Sequence, residues 1–407
     1  MDRHLVISSD CHAGPPLPQY RAYVEPKYRD AFDARLPGNI AEIKMAEEKF
    51  LIADINEQWR AGHEQQLTGA WDHAERVRVL DADGIAGEVI FPDGITEMNT
   101  PPFEAGLGLR TEGVDGELQW AGARAHNRFL EELCQMAPER RLGVAVIPLL
   151  WDIDEALKEI RGLRARGLRA ILIPTLWGEF APYHHPRYEP VWSLCEDEDI
   201  IIHFHSGATP RRDHFGDGDV PLLGDMGVYL TEFAFWVARP LAFLIWGGVF
   251  ERHPNLKVAI TEGQTRWAPP YLKLMDTRYL HSQDEQKLGD YCGHLSMKPS
   301  EYFARNVKLG ASCIAVADVE ARHELGVETL MWGTDYPHPE GSWPDTENDL
   351  RETFGGLPQD EIGAILGGNA VEFYGFDAPK LAPLVSRIGP PKEWFTTAQV
   401  PEKLRRR

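Results

Sequence analysis

Cysteine is scarce in this chain. The five cysteines, Cys11, Cys134, Cys195, Cys292 and Cys313, are widely scattered, odd in number and free of any CxxC pair. That pattern argues against a disulfide scaffold and for a reducing compartment. Basic charge is also in deficit: 42 Lys plus Arg stand against 63 Asp plus Glu, a formal charge of −21. Such a field repels nucleic acid phosphates and anionic lipid headgroups, which removes both as expected partners. Long apolar runs are missing too, since no stretch of about twenty uncharged apolar residues occurs. The opening MDRHLVISSDCHAG carries too short an apolar run for a signal peptide. A cytoplasmic protein that meets no membrane is the expectation.

What is present is ample core material, 43% of the residues being hydrophobic. The length of 407 residues would allow two or three domains, but α/β barrels routinely exceed about 250 residues as one unit, so organisation along the chain decides. Short β-branched runs recur, each followed by a polar or glycine-containing turn and then by helical periodicity. Eight are expected as strands: His4 to Ser9, Gly87 to Phe91, Leu142 to Pro148, Leu168 to Ile173, Ile200 to His205, Leu256 to Thr261, Val307 to Ala311 and Thr329 to Gly333. Helical patterns over Asp152 to Leu163, with Gly167 as terminator, and over Tyr188 to Glu196 separate them. A third, Tyr229 to Phe250, is strongly apolar, but Glu232, Arg239 and Pro240 interrupt it as a membrane span. Eight strands alternating with helices point to a (β/α)8 barrel over residues 1–376. Residues 15–80 read as a helical insertion after the first strand, a lid or a subunit contact, and 377–407 as a tail that wraps the surface or a neighbour or stays disordered.

Barrel enzymes carry their chemistry at the carboxyl ends of strands. Here strand one ends in Asp10-Cys11-His12, strand five in His203-Phe204-His205, strand six in Glu262, and strand eight in Asp335 followed by Tyr336-Pro337-His338. Side chains alternate along a strand, so Asp10 and His12 face one way, as do His203 and His205, and Cys11 faces away. Imidazoles with carboxylates suit one divalent transition metal, zinc as the expected ion and manganese as the alternative.

SSDCHAG, IIIHFHSG and MWGTDYPH resemble the amidohydrolase superfamily, in particular the subgroup similar to aminocarboxymuconate semialdehyde decarboxylase and the resorcylate-type decarboxylases. PERRLGVAVIPL, HHPRYEPVWSLCEDEDIIIH, WGGVFERHPNLKVAITEG and GGNAVEFYGFD extend the likeness in the same order. The resemblance implies that Asp10, His12, His205 and Asp335 hold the metal, with Asp10 in a place that many relatives fill with histidine. It implies a homodimer or higher homo-oligomer as well. The subgroup's decarboxylases carry a histidine at the end of strand six, in a pattern like GHMGE, where this chain has Thr261-Glu262-Gly263-Gln264.

That substitution tips the expected reaction towards hydrolysis of a small organic substrate, with Asp335 as the base that activates metal-bound water. The alternative is nonoxidative decarboxylation, for which Glu262, His338 or Asp335 must supply the acid. His203 reads as a supporting or core residue, and His184 and His185 as part of a turn. Trp177, Arg211, Arg212, His214, Trp267 and Trp343 fall in loops of the catalytic face, where packing roles outweigh substrate contacts.

Overall fold

Eight parallel strands follow one another in sequence and in space in the computed structural model, which describes residues 2–50, 52–93, 99–210, 224–282, 288–312 and 314–397. They are β1 (Ile7–His12), β2 (Gly87–Phe91), β3 (Arg141–Val146), β4 (Ala170–Leu172), β5 (Ile201–His205), β6 (Val258–Thr261), β7 (Val307–Ser312) and β8 (Leu330–Gly333), each paired with the next. β8 then returns to β1. Cys11 pairs with Tyr336, the His12 amide donates to the Tyr336 carbonyl at 2.8 Å, and the Asp335 amide donates to the Asp10 carbonyl at 2.9 Å. The ring is a (β/α)8 barrel, with strands buried on both faces because helices cover the outside.

Seven of the strands lie within two residues of their expected bounds; β1 does not. Its ladder continues past the polar Asp10 to His12, with an irregularity in register between Ser8 and Cys11. Pairing of His12 with Phe91 carries the strand on where side-chain polarity hid it, and a bulge of this kind re-aims side chains near a site.

Among the described residues the α-helices longer than five residues are α1 (Arg29–Phe50), α2 (Ala53–Leu67), α3 (His73–Ala82), α4 (Gly116–Gln135), α5 (Ile153–Leu163), α6 (Glu189–Asp197), α7 (Asp225–Trp246), α8 (Ala268–Leu280), α9 (Pro299–Asn306), α10 (Thr346–Phe354), α11 (Asn369–Tyr374) and α12 (Ala378–Ile388). Local chemistry starts and stops them. Asp152 caps α5 by accepting from the Glu155 amide at 3.0 Å, and beyond its last turn Gly167 takes φ 84°. α7 passes the length and composition test for a membrane-crossing helix. It nevertheless packs Val237, Ala238, Leu241, Leu244 and Ile245 into the barrel wall and leaves Met226, Val228, Leu230 and Phe235 exposed.

Within residues 15–80, α1 and the turns before it build a satellite core of Leu17, Tyr20, Val24, Tyr28, Phe32 and Ile43 against Phe103, Ala121 and Ala125. α2 sets Trp59 and His63 edge-on against Trp343 of the β8 loop, at ring separations of 5.3 and 5.0 Å. α3, at the end of the same span, is the crossover helix into β2. Its Arg76 is wholly buried, bonds to Glu88 of β2 at 2.7 Å and donates to the His12 and Gly69 carbonyls at 3.0 Å each. Arg141 holds the other side of Glu88 at 3.0 Å.

After β8 the chain folds back beneath the barrel, where Leu381 and Val385 of α12 join the core and the His4 amide donates to the Pro390 carbonyl at 3.0 Å. The last ten residues, including Arg405, Arg406 and Arg407, lie outside the described residues, as do Arg211, Arg212, His214 and Cys313.

Candidate metal centre

Asp10, His12 and His205, all fully buried, present donor atoms that lie within 4.8 Å of one another. The orientation of His12 follows from its partner: Nδ1 lies 2.8 Å from the Pro92 carbonyl, which only accepts, so Nδ1 carries a hydrogen and Nε2 is the nitrogen turned to the centre. Nε2 faces Asp10 Oδ1 at 3.4 Å and Asp335 Oδ1 at 3.1 Å. His205 repeats the arrangement, with Nδ1 donating to the Ser206 carbonyl and Nε2 3.3 Å from Asp10 Oδ1. Two donors each about 2.1 Å from a common ion and roughly 90–110° apart stand about 3.0–3.4 Å from each other. The separations of His12 from Asp10 and Asp335, and of His205 from Asp10, match that spacing, and the mutual proximity of Asp10, His12 and His205 fits a divalent cation, with Asp335 reaching it from the His12 side.

The electrostatics agree. Burial works to raise the Asp10 carboxyl, but His205 and His12 overcome it and hold it well below the ordinary carboxylate range. Asp335 is likewise held low against burial, by His338 and His12. Burial and the neighbouring His338 push the His12 imidazole down, yet Asp10 and Asp335 outweigh them and lift it to about 10. In the absence of a cation a proton takes the place between those carboxylates, which is where a metal would neutralise them.

Asp335 borders this group from the His12 side. It lies two residues past β8 at φ 62°, a conformation uncommon for residues other than glycine, and neither of its buried oxygens finds a hydrogen-bond donor in good geometry among the described residues. His338 follows in the same loop. Its Nδ1 is 3.0 Å from Asp335 Oδ1, and its ring stacks on His12 at 3.9 Å. Glu262 follows β6 directly, also at positive φ (54°), and its Oε2 accepts from Ser206 Oγ at 2.5 Å and faces His205 Nδ1 at 3.4 Å. A quarter of its side chain is exposed. Burial of the carboxyl and the charge on Asp335 push Glu262 up to about 7, with His205 opposing them.

His203 lies one layer deeper, stacked on Tyr374 at 5.7 Å and pushed down to about 3 by burial and by His205, so it stays neutral. Cys11 faces the outer core. His185 accepts from the Arg187 amide in a turn, and His184 packs beside Phe243. Trp343 packs against α2, and Trp267 donates to the Gln264 carbonyl at 3.0 Å. Trp177 is buried beneath the Arg239 guanidinium, 4.4 Å from its ring.

Three contributors escaped the sequence reading. Ser312, the last residue of β7, donates to Asp10 Oδ2. Ser206 ties down Glu262. Asp93, two residues past β2, is fully buried, has both carboxylate oxygens without a hydrogen bond among the described residues, and lies 3.5 Å from His338 Nε2. The signal for Asp93 was available: it is an acid just beyond an apolar strand, at the same end as the other ligands.

Fold and site together define a class: barrel enzymes that gather imidazoles and carboxylates around a cation at the carboxyl ends of their strands. The chain belongs to the amidohydrolase family, whose profile matches residues 10–376. It is similar to gamma-resorcylate decarboxylase from Rhizobium sp. (strain MTP-10005), 26% identical over 271 residues, covering 64% of this chain and 76% of that one. It is also similar to 2-amino-3-carboxymuconate-6-semialdehyde decarboxylase from Dictyostelium discoideum, 24% identical over 320 residues, covering 77% and 79%. Among solved structures, the 5-carboxyvanillate decarboxylase of Novosphingobium aromaticivorans, complexed with manganese, superposes with a TM-score of 0.66 at 17% identity, covering 92% of this chain and 97% of that one.

These relatives overturn the hydrolytic reading. Hydrolysis was inferred from Glu262 standing where the decarboxylases carry histidine, as though the acid had been lost. In the structure Glu262 is engaged with His205 and Ser206, while an imidazole, His338, enters the site from the β8 loop beside Asp335. The missing strand-six histidine does not leave the centre without one.

Proposed function

We propose that this chain is a metal-dependent carboxy-lyase that removes carbon dioxide, without oxidation, from a hydroxylated aromatic or unsaturated carboxylic acid. The observation that carries this reading is that two different decarboxylases align over more than three quarters of their own length. A divalent cation held by Asp10, His12, His205 and Asp335 would supply the positive charge that grips the substrate carboxylate and its neighbouring oxygen. Zinc is the first expectation from a mixed imidazole and carboxylate set, with manganese close behind.

The chain's own residues divide the remaining work. Glu262, bonded to Ser206 and facing His205 Nδ1, orients His205 so that Nε2 points at Asp10. His338, stacked on His12 and with Nδ1 3.0 Å from Asp335, supplies a proton that Asp335 hands on to the carbon losing carbon dioxide. When the carbon–carbon bond breaks, its electron pair stays on that carbon and takes up the proton. Arg239, half-buried over Trp177 and 5.0 Å from the Phe243 ring, makes no ion pair among the described residues. Such a cation on an aromatic bed suits an aromatic acid.

The test is carbon dioxide release from a panel of hydroxybenzoates and unsaturated acids by manganese- and zinc-loaded enzyme. Release from at least one compound, lost with a chelator and restored by metal, is expected; no release from any loaded form sinks the proposal. A homo-oligomer in the cytoplasm completes the reading, supported by the family likeness and by buried, unpaired thiols at Cys11, Cys134, Cys195 and Cys292.

A further inference from the structure

We propose that Asp93 is a positioning residue that sets the ring of His338 and, through it, the Asp335 carboxylate. The three groups stand in line: Asp335 Oδ1 is 3.0 Å from His338 Nδ1, and His338 Nε2 is 3.5 Å from Asp93 Oδ1. His338 therefore has one carboxylate at each ring nitrogen, while His12 flanks its face at 3.9 Å with 22° between the planes. Asp93 also lies 3.9 Å from His12 Nδ1, but that nitrogen is taken by the Pro92 carbonyl at 2.8 Å. The imidazole nitrogen left facing Asp93 at 3.5 Å is His338 Nε2.

Burial makes the contact consequential. Asp93 has no exposed surface, and both of its oxygens lack a hydrogen bond among the described residues. Gly106 packs closely on its backbone, where an added Cβ would come within 2.8 Å of the Asp93 carbonyl oxygen. The nearby His126 is fully buried and pushed down to about 4 by that burial, and its Nδ1 is bonded to the Tyr20 hydroxyl at 2.9 Å, so it stays neutral. A buried carboxylate with no other compensating group among the described residues is stabilised where it meets an imidazole N–H, and in return it fixes the ring's rotation. None of the proposed metal ligands depends on Asp93 directly. Its effect should fall on the step His338 performs rather than on metal retention.

The catalytic part of this inference rests on the decarboxylase reading; the contact itself does not, and the experiment separates them. In Asp93→Asn, metal content is expected to match the parent protein. The His338 ring resonances in a 15N-histidine spectrum of the zinc-loaded protein are expected to move while those of His205 stay in place. On a substrate that the parent decarboxylates, kcat is expected to fall about tenfold to a hundredfold with KM within twofold. The double variant Asp93→Asn/His338→Gln is expected to lose no more than His338→Gln alone. Unmoved His338 resonances, additive losses, or a loss of metal from Asp93→Asn relative to the parent would each overturn the proposal, the last by making Asp93 a ligand. If the parent releases no carbon dioxide, the functional reading fails and the resonances still decide the contact. If Asp93→Asn does not fold, His338→Asn probes the contact from the other side, and the 13C carboxylate signal of Asp93 must then move.

Discussion

Glu262 and Asp335 share an unusual backbone, each at positive φ within two residues of a strand's end, and each turns its carboxyl towards an imidazole at the barrel mouth. Their duties differ, which gives distinct expectations. Glu262→Gln removes a charge that only orients His205, so metal affinity should fall about 10–100-fold without vanishing. His205→Ala removes a proposed ligand and should purify with little metal. A competition titration against a chromogenic chelator measures both, and equal loss in the two variants would count against the division. Arg239→Met leaves the centre untouched and should raise KM about tenfold with metal content unchanged, a loss of about 1.4 kcal/mol in binding. Asp10, His12, His205 and Asp335 were legible because their chemistry is rare at strand ends and their spacing puts them on inward faces. Ser312 and Ser206 were not, since a serine at the end of a strand looks like any turn residue until its acceptor is known.

At the scale of elements, the strands could be read because each is an apolar run between turn signals, and the one misplaced strand, β1, is the one whose second half is polar. The role of α3 was hidden for a related reason: its helical pattern continues from α2, and only the burial of Arg76 against Glu88 shows where insertion ends and crossover begins. Removing Arg76 strands part of a buried charge. Arg76→Met should cost about 3 kcal/mol in urea unfolding, at the low end for a broken buried pair because Arg141 still holds Glu88. A second expectation concerns the junction of α3 with α10. Partial burial, with Asp345 and Asp349 nearby, pushes Asp83 up to about 7 against the Thr346 hydroxyl that donates to it at 2.6 Å. The unfolded chain releases that proton near pH 4, so rising pH withdraws stability between about 4 and 7. Asp83→Asn should therefore melt higher than the parent at pH 8 and equally near pH 4, as calorimetry will show.

For the whole molecule, donors drawn from β1, β5 and the loop after β8 make cation binding a property of the closed ring. Loading at 100 times the dissociation constant should add about 2.7 kcal/mol to unfolding stability, provided the unfolded chain binds none. Chelation should reverse the gain in a melting experiment.

The seam between β8 and β1 is drawn together at the catalytic end by two amides, those of His12 and Asp335, and both residues are proposed ligands. Opening the seam and releasing the ion are then one event seen from two sides. Deuterium should enter these two backbone positions slowly in loaded protein and quickly in stripped protein. Amides in the middle of β3 and β4, far from the closure, should keep their pace in either form.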